Sequence, residues 1–184
     1  MSKFRGFIAI EVDAFPKILE FEKRIKDTGA IVKLVEPENV HITLKFLGNV
    51  DECQIDEIEK IMKESVESLD PFNIRIKSSG AFPNDEYIRI IWIGIEDSDE
   101  LRTIATKLDD YLSQIGFKKE KRSFSAHLTI GRVKAAKNKK QLLETIMSYK
   151  DIDFGEVHVD SIKLKKSDLT QKGPVYSTIR EVRL

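Results

Sequence analysis

The chain has 184 residues, 41% of them hydrophobic and 34% charged, with 31 Lys and Arg balanced by 31 Asp and Glu. A chain of this length buries roughly two-thirds of the surface it exposes when unfolded, and this composition excludes a mainly disordered or fibrous protein. One cysteine, Cys53, excludes an internal disulfide and a multi-cysteine zinc site, and the neutral total excludes a protein that holds long nucleic acid by bulk charge, so any polyanion site is local.

Phe4 to Val12 alternates like a strand, and its apolar run stops at Glu11 and Asp13, too short for a signal segment. No later stretch reaches the roughly 20 apolar residues of a membrane helix, so the expected home is the cytoplasm and no membrane partner is expected. Phe15 to Thr28 follows as a helix, with Ile18, Leu19, Phe21, Glu22 and Ile25 at helical spacing and Gly29 as the stop. Next come strands at Ile31 to Val35 and His41 to Leu47 around a turn at Pro37, a helix from Cys53 to Leu69 with Asp51 as its N-cap, and a strand at Phe72 to Ser78. Ser79 to Glu86 (SGAFPNDE) reads as a tight turn.

The order then recurs: a strand at Tyr87 to Ile95, a helix from Asp99 to Ile115 ended by Gly116, a strand at Ala126 to Val133, a helix from Lys139 to Tyr149, and strands at Glu156 to Lys165 and Val175 to Val182. Gly29 and Gly116 are 87 positions apart, and His41 and His127 are 86 apart. This registration implies two copies of one unit, about residues 4–80 and 87–170, inside a single domain spanning 1–184. The expected fold is α+β and bilobal: two pseudo-symmetric lobes, each a mainly antiparallel sheet covered by helices on its outer face, with a cleft between the sheets.

Two of the three histidines carry a threonine at +2, in His41-Ile42-Thr43-Leu44 and His127-Leu128-Thr129-Ile130. Residues at i and i+2 of a strand share a face, so each histidine stands with its threonine on one side while Ile42, Leu44, Phe46, Leu128 and Ile130 point to the other. Lys45 is expected on the face of His41 and Thr43, either as a solvated charge or as a phosphate neighbour. Two imidazoles flanking one site suit phosphoryl chemistry, one accepting a proton and the other donating one, with the threonine hydroxyls holding non-bridging oxygens. The sequence has no G-x-x-x-x-G-K-[ST], H-E-x-x-H or G-x-S-x-G run, so a mechanism without metal, nucleoside triphosphate or other cofactor is the economical one.

His158 lacks a threonine partner and reads as structural or exposed. Phe7 falls opposite the apolar face of its strand and offers either a surface for base stacking or a packing contact; Tyr176 has the same two readings. Between Phe117 and Lys140, nine basic residues face one acid, Glu120, a stretch suited either to steering a polyanion or to plain solvation. Strict alternation puts Arg132 on the face away from His127, and only a bulge near Gly131 turns it into the cleft.

The runs HITLKFLGNV (His41 to Val50) and SFSAHLTIGRV (Ser123 to Val133), with FRGFIAIEV at the start and GPVYSTI near the end, resemble the 2H phosphoesterases over the whole chain. Within that superfamily the likeness is to the RNA 2′,3′-cyclic phosphodiesterases, also called 2′-5′ RNA ligases. The family often has proline before the second motif histidine, where this chain has Ala126; no reacting group changes. The resemblance implies hydrolysis of RNA 2′,3′-cyclic phosphate ends to 2′-phosphates, with His41 as proton donor and His127 as acceptor. It further implies Thr43, Thr129 and Arg132 on the phosphate, and reversible 2′-5′ ligation at the same site. Phe7, Lys45 and Tyr176 are candidate substrate contacts. The implied partner is an RNA end, tRNA fragments included, or a small cyclic nucleotide, and a monomer is the expected state. A module that binds an RNA end without turnover, and a phosphodiesterase for another cyclic or 2′-5′ linked nucleotide, are the alternatives.

Overall fold

A computed structural model describes residues 2–13, 15–96, 98–135, 137–171 and 173–184. Among them the strands are β1 (Lys3–Glu11), β2 (Ile31–Leu34), β3 (His41–Asp51), β4 (Phe72–Pro83), β5 (Ile88–Ile95), β6 (His127–Ala135), β7 (Asp153–Val159), β8 (Ser161–Thr170) and β9 (Gly173–Arg183). The helices are α1 (Pro16–Asp27), between β1 and β2; α2 (Ile55–Val66), after β3; α3 (Asp99–Gln114), after β5; and α4 (Lys139–Ser148), after β6. Local chemistry sets their ends. Pro16 opens α1, where a missing N–H costs nothing. Asp51 and Gln54 form a reciprocal capping box ahead of α2. Ser98 Oγ accepts from the Leu101 amide at the head of α3.

All strand pairs are antiparallel, in the order β7-β4-β5-β6-β3-β1-β8-β9, and the sheet curls into a half-barrel. β3 and β6 meet at one rung, Ile42 opposite Leu128; further along β6, β2 takes the place of β3 and pairs Leu34 with Gly131. The sheet thus has two parts that splay from that rung. α2 and α3 pack against β3 and β9 on one part, whereas α1 and α4 cover β2 and β4 on the other. Each half of the chain feeds both parts, because α3, β8 and β9 join β1 and β3, while α1, β2 and β4 join β5, β6 and β7. The helix-covered face carries the core, with Ile8, Ile10, Ile42, Leu44, Ile91, Ile93, Leu128 and Ile130 all buried. No helix among the described residues is long and apolar enough to cross a membrane.

The single strand expected over Glu156 to Lys165 is two strands, β7 at the far edge on β4 and β8 beside β1, divided at exposed Asp160. Alternation continues through this crossover, which hides it in the sequence. The expected turn over Ser79 to Glu86 is shorter than its composition suggests: β4 runs on to Pro83, and Asn84 Oδ1 closes the hairpin by accepting from the amides of Glu86 (3.1 Å) and Tyr87 (2.8 Å).

Candidate active site

The rung between Ile42 and Leu128 organises the site. Continued by one residue each way, its antiparallel register sets His41 across from Thr129 and Thr43 across from His127. All four are half-buried on the face opposite the core, and the charge of His127 is felt at His41. The rings are held in the same way in both motifs. His41 Nδ1 lies 2.7 Å from the carbonyl oxygen of Asn39, and His127 Nδ1 lies 2.9 Å from that of Ser125. A carbonyl only accepts, so each Nδ1–H donates and each Nε2 remains for proton transfer.

Each imidazole also rests against a phenylalanine, Phe7 at 4.9 Å from His41 and Phe82 at 5.3 Å from His127. Tyr176 stands edge-on to both Phe7 (5.0 Å) and His41 (5.4 Å). Burial lowers the pKa of His41, with a smaller contribution in that direction from Lys165 and opposing ones from the Asn39 carbonyl and Glu11. Lys165 and Lys163 both donate to Glu11, which pairs with His41 in the β1–β3 register. Burial opposes ionisation of Glu11, yet these two lysines hold its carboxyl below the ordinary range. Burial raises the Tyr176 pKa against the opposing charges of Arg132 and Arg5.

Both motif strands carry a β-bulge at the same offset from their histidines. On β3 the partners of Ile8 and Ala9 are Lys45 and Thr43, so Leu44 is an extra residue; on β6 the partners of Ile91 and Trp92 are Gly131 and Thr129, so Ile130 is extra. Each bulge reverses the alternation that follows. Leu44 and Lys45 both turn to the core, as do Ile130 and Gly131, and the fifth residue after each histidine returns to the cleft face. That residue is Phe46 on β3 and Arg132 on β6.

The bulge expected near Gly131 is therefore present, and Arg132 shares the face of His127 and Thr129. The same device corrects two expectations about the first motif. Lys45 is not a phosphate neighbour: its side chain is 0% exposed on the helix side, where Nζ donates to Asp109 Oδ1 and to the Lys118 carbonyl, each at 2.6 Å. Phe46, assigned to the core by strict alternation, is 62% exposed instead. Phe7 lies on the cleft face but is only 4% exposed, so it supports His41 and offers no surface for a base. Tyr176 does border the site. His158 lies apart on β7, where its Nδ1 donates to Asn73 Oδ1 at 2.7 Å. Sequence reading missed Phe46, Phe82, Glu11 and Lys165. The bulge hid the first, and the neighbours of the others are set by strand order.

Two His-x-Thr strands thus join at one rung of a curled antiparallel sheet, with their histidines on the open face. Residues 10–184 match the model of the AKAP7 2′5′ RNA ligase-like domain. The chain is 48% identical to an RNA 2′,3′-cyclic phosphodiesterase of Methanocaldococcus jannaschii over 179 residues, covering 96% of this chain and 99% of that protein. It is 36% identical to the protein of the same name from Methanothermobacter thermautotrophicus over 184 residues, covering 99% and 100%. Among solved structures, a Thermus thermophilus protein superimposes with a TM-score of 0.81 at 24% identity, over 98% of this chain and 97% of that one. E. coli LigT complexed with 3′-AMP superimposes with a TM-score of 0.73 at 19% identity, over 100% and 99%; both confirm the fold. The chain belongs to the 2H phosphoesterases, in the family of RNA 2′,3′-cyclic phosphodiesterases with the 2′5′ RNA ligase-like domain.

Proposed function

We propose that this protein hydrolyses the 2′,3′-cyclic phosphate at an RNA 3′ end to a 2′-phosphate by metal-independent acid–base transfer between its two motif histidines. Water attacks phosphorus as His127 Nε2 takes its proton, the P–O3′ bond breaks, and His41 Nε2–H protonates the departing 3′ oxygen. Thr43, Thr129 and Arg132 hold the non-bridging oxygens, where negative charge builds in the transition state. Phe46 supplies the open aromatic face on which the terminal base stacks. The same steps reversed join a cyclic end to a 5′-hydroxyl as a 2′-5′ linkage.

The observation that carries this reading is the mirrored cluster around Ile42 and Leu128, where both imidazoles are anchored through Nδ1 to the carbonyl two residues earlier. Binding a phosphate does not require two rings oriented for proton transfer, whereas acid–base catalysis does. The relatives named as RNA 2′,3′-cyclic phosphodiesterases support the same substrate. The lowered pKa of His41 favours its neutral form. The negative charge of a bound phosphodiester acts in the opposite sense and favours the protonated donor.

The test is hydrolysis, with chelator present, of a short RNA ending in a 2′,3′-cyclic phosphate, with the product's phosphate position identified. Wild-type protein is expected to give the 2′-phosphate, and both His41→Ala and His127→Ala to give it at least about 10²-fold more slowly. Tight binding of the end by folded wild type without turnover would replace this reading with a binding module.

A further inference from the structure

Beyond the rung that pairs Ile90 with Arg132, β5 and β6 are no longer paired, and a groove of about 630 Å³ lies between them. Its volume falls in the range of ligand sites, roughly 300–1,000 Å³. Arg89 comes from β5; Arg132 and Lys134 come from β6; Lys137 and Lys139 come from the segment entering α4. Glu86 is the one acid lining it among the described residues, and the Glu86 carbonyl accepts from Lys139 Nζ at the rim. Tyr87 completes the wall, 56% exposed, with the Arg89 guanidinium 4.9 Å above its ring and Arg89 Nη2 donating to its hydroxyl at 2.8 Å.

Two features separate this groove from an ordinary solvated surface. First, none of Arg89, Arg132, Lys134 and Lys137 has a carboxylate within ion-pair distance among the described residues, whereas elsewhere Lys119 pairs with Asp110 and Lys45 with Asp109. Unneutralised like charges gathered around a concavity repel one another and are relieved by a polyanion. Second, the groove shares Arg132 with the strand face that carries His127 and Thr129. An exposed tyrosine among such cations matches the way single-stranded nucleic acid is held, by base stacking beside a basic track.

We propose that this groove binds the ribose-phosphate backbone of the nucleotides on the 5′ side of the cyclic end, so that the preferred substrate is an RNA strand and not a mononucleotide. The inference rests on the RNA-end reading above. A 2′,3′-cyclic phosphate is the 3′ terminus of its strand, so with that terminus at His41 and His127 the rest of the strand leaves past Arg132 along β5 and β6. Lys134 and Lys137 contact phosphates, and Tyr87 stacks on an upstream base.

The experiment compares kcat/KM for a hexanucleotide and for a mononucleotide, each with a 2′,3′-cyclic phosphate, in wild type, Lys134→Ala/Lys137→Ala and Lys134→Arg/Lys137→Arg, across a salt series. Wild type is expected to prefer the hexanucleotide, with log kcat/KM falling as log salt rises. Each phosphate contact adds about 0.7 to that slope for a single strand, so the alanine pair is expected to reduce it by about 1.4, mainly through KM, and the arginine pair to restore it. Equal slopes in wild type and the alanine pair, with turnover intact, would overturn the groove and leave the activity standing. Should wild type turn over neither substrate, the activity reading fails and binding of the labelled hexanucleotide decides the groove. Weaker binding by the alanine pair supports it, and equal binding overturns it. Displacement of the RNA by polyglutamate as effective as by unlabelled RNA would also overturn it, as the mark of a surface that reads charge alone.

Discussion

The two histidine strands differ most where their backbones agree best. Both carry His-x-Thr, both anchor Nδ1 to a carbonyl two residues back, and both bulge three and four residues past the histidine. At the fourth position, however, β3 turns Lys45 into a charged pocket against α3, while β6 has Gly131 beneath β2. A Cβ at Gly131 would lie 2.8 Å from Val32 Cγ1, so the β2 pairing leaves no room for a side chain. At the fifth position one strand presents an aromatic face, Phe46, and the other a guanidinium, Arg132. One local geometry, used twice, thus brings two chemically different side chains to the same face of the sheet.

The largest effects are expected from breaking the part that is common. His41→Ala and His127→Ala are each expected to lower kcat by about 10²- to 10⁴-fold on a cyclic-phosphate RNA, with thermal stability nearly unchanged. A large loss from only one of them would show that the two motifs do not share the proton transfers.

The fourth positions are expected to differ in kind. Lys45→Ala leaves Asp109 and the Lys118 carbonyl without their shared cation and is expected to destabilise by about 3 kcal/mol in denaturant unfolding. Gly131→Ala forces β2 outward at a cost of about 1–3 kcal/mol. Lys45→Ala with unchanged stability would show that its buried ion pair holds nothing together.

A second buried charge sharpens the same contrast. Glu22 on α1 is 6% exposed, and its Oε1 has no hydrogen-bond partner among the described residues. Burial raises its pKa from 4.5 to about 7. A carboxyl with a raised folded-state pKa costs nothing below about pH 4.5, costs progressively more up to pH 7, and carries its full penalty above that. Glu22→Gln is therefore expected to stabilise by up to about 3 kcal/mol at pH 8 and by little at pH 4, read as Tm at each pH.

At the fifth positions, Arg132→Ala is expected to act mainly on kcat, by about 10²-fold, and Phe46→Ala mainly on KM, by an amount matching about 1–3 kcal/mol of lost stacking. Equal division of both effects between kcat and KM would erase the distinction between the strands.

The smallest expected effect is a shift of pH profile. Lys165 helps hold the His41 pKa below its ordinary 6.5. Its replacement in Lys165→Met removes that charge and leaves Glu11 less neutralised, and both changes raise the His41 pKa. The limb of the kcat/KM profile belonging to the donor is expected to move to higher pH; a move to lower pH would count against His41 as the group titrating there.

Much of this site is legible in the chain because period-2 alternation and repeated spacing are local signals. The two His-x-Thr pairs, their shared face, the Asp51 N-cap and the buried Ile42 and Leu128 all follow from a few consecutive residues. What fails is any inference carried through a bulge, since one extra residue reverses every later side chain, as at Lys45 and Phe46. Inferences about which strand lies beside which fail too. Lys165 acts on His41 across 124 positions of chain, and only the placement of β8 beside β1 brings them together.

The basic stretch between Phe117 and Lys140 divides in the same way. Its charge was plain in the sequence, yet Lys119 is spent on Asp110, whereas Lys134 and Lys137 line the groove that Arg89 joins from another strand. Sequence by itself determined the chemistry available to this protein, because residue type and local period set what each strand carries and which face carries it. Tertiary structure decided the site, because bulges and strand order are settled by packing between residues far apart in the chain.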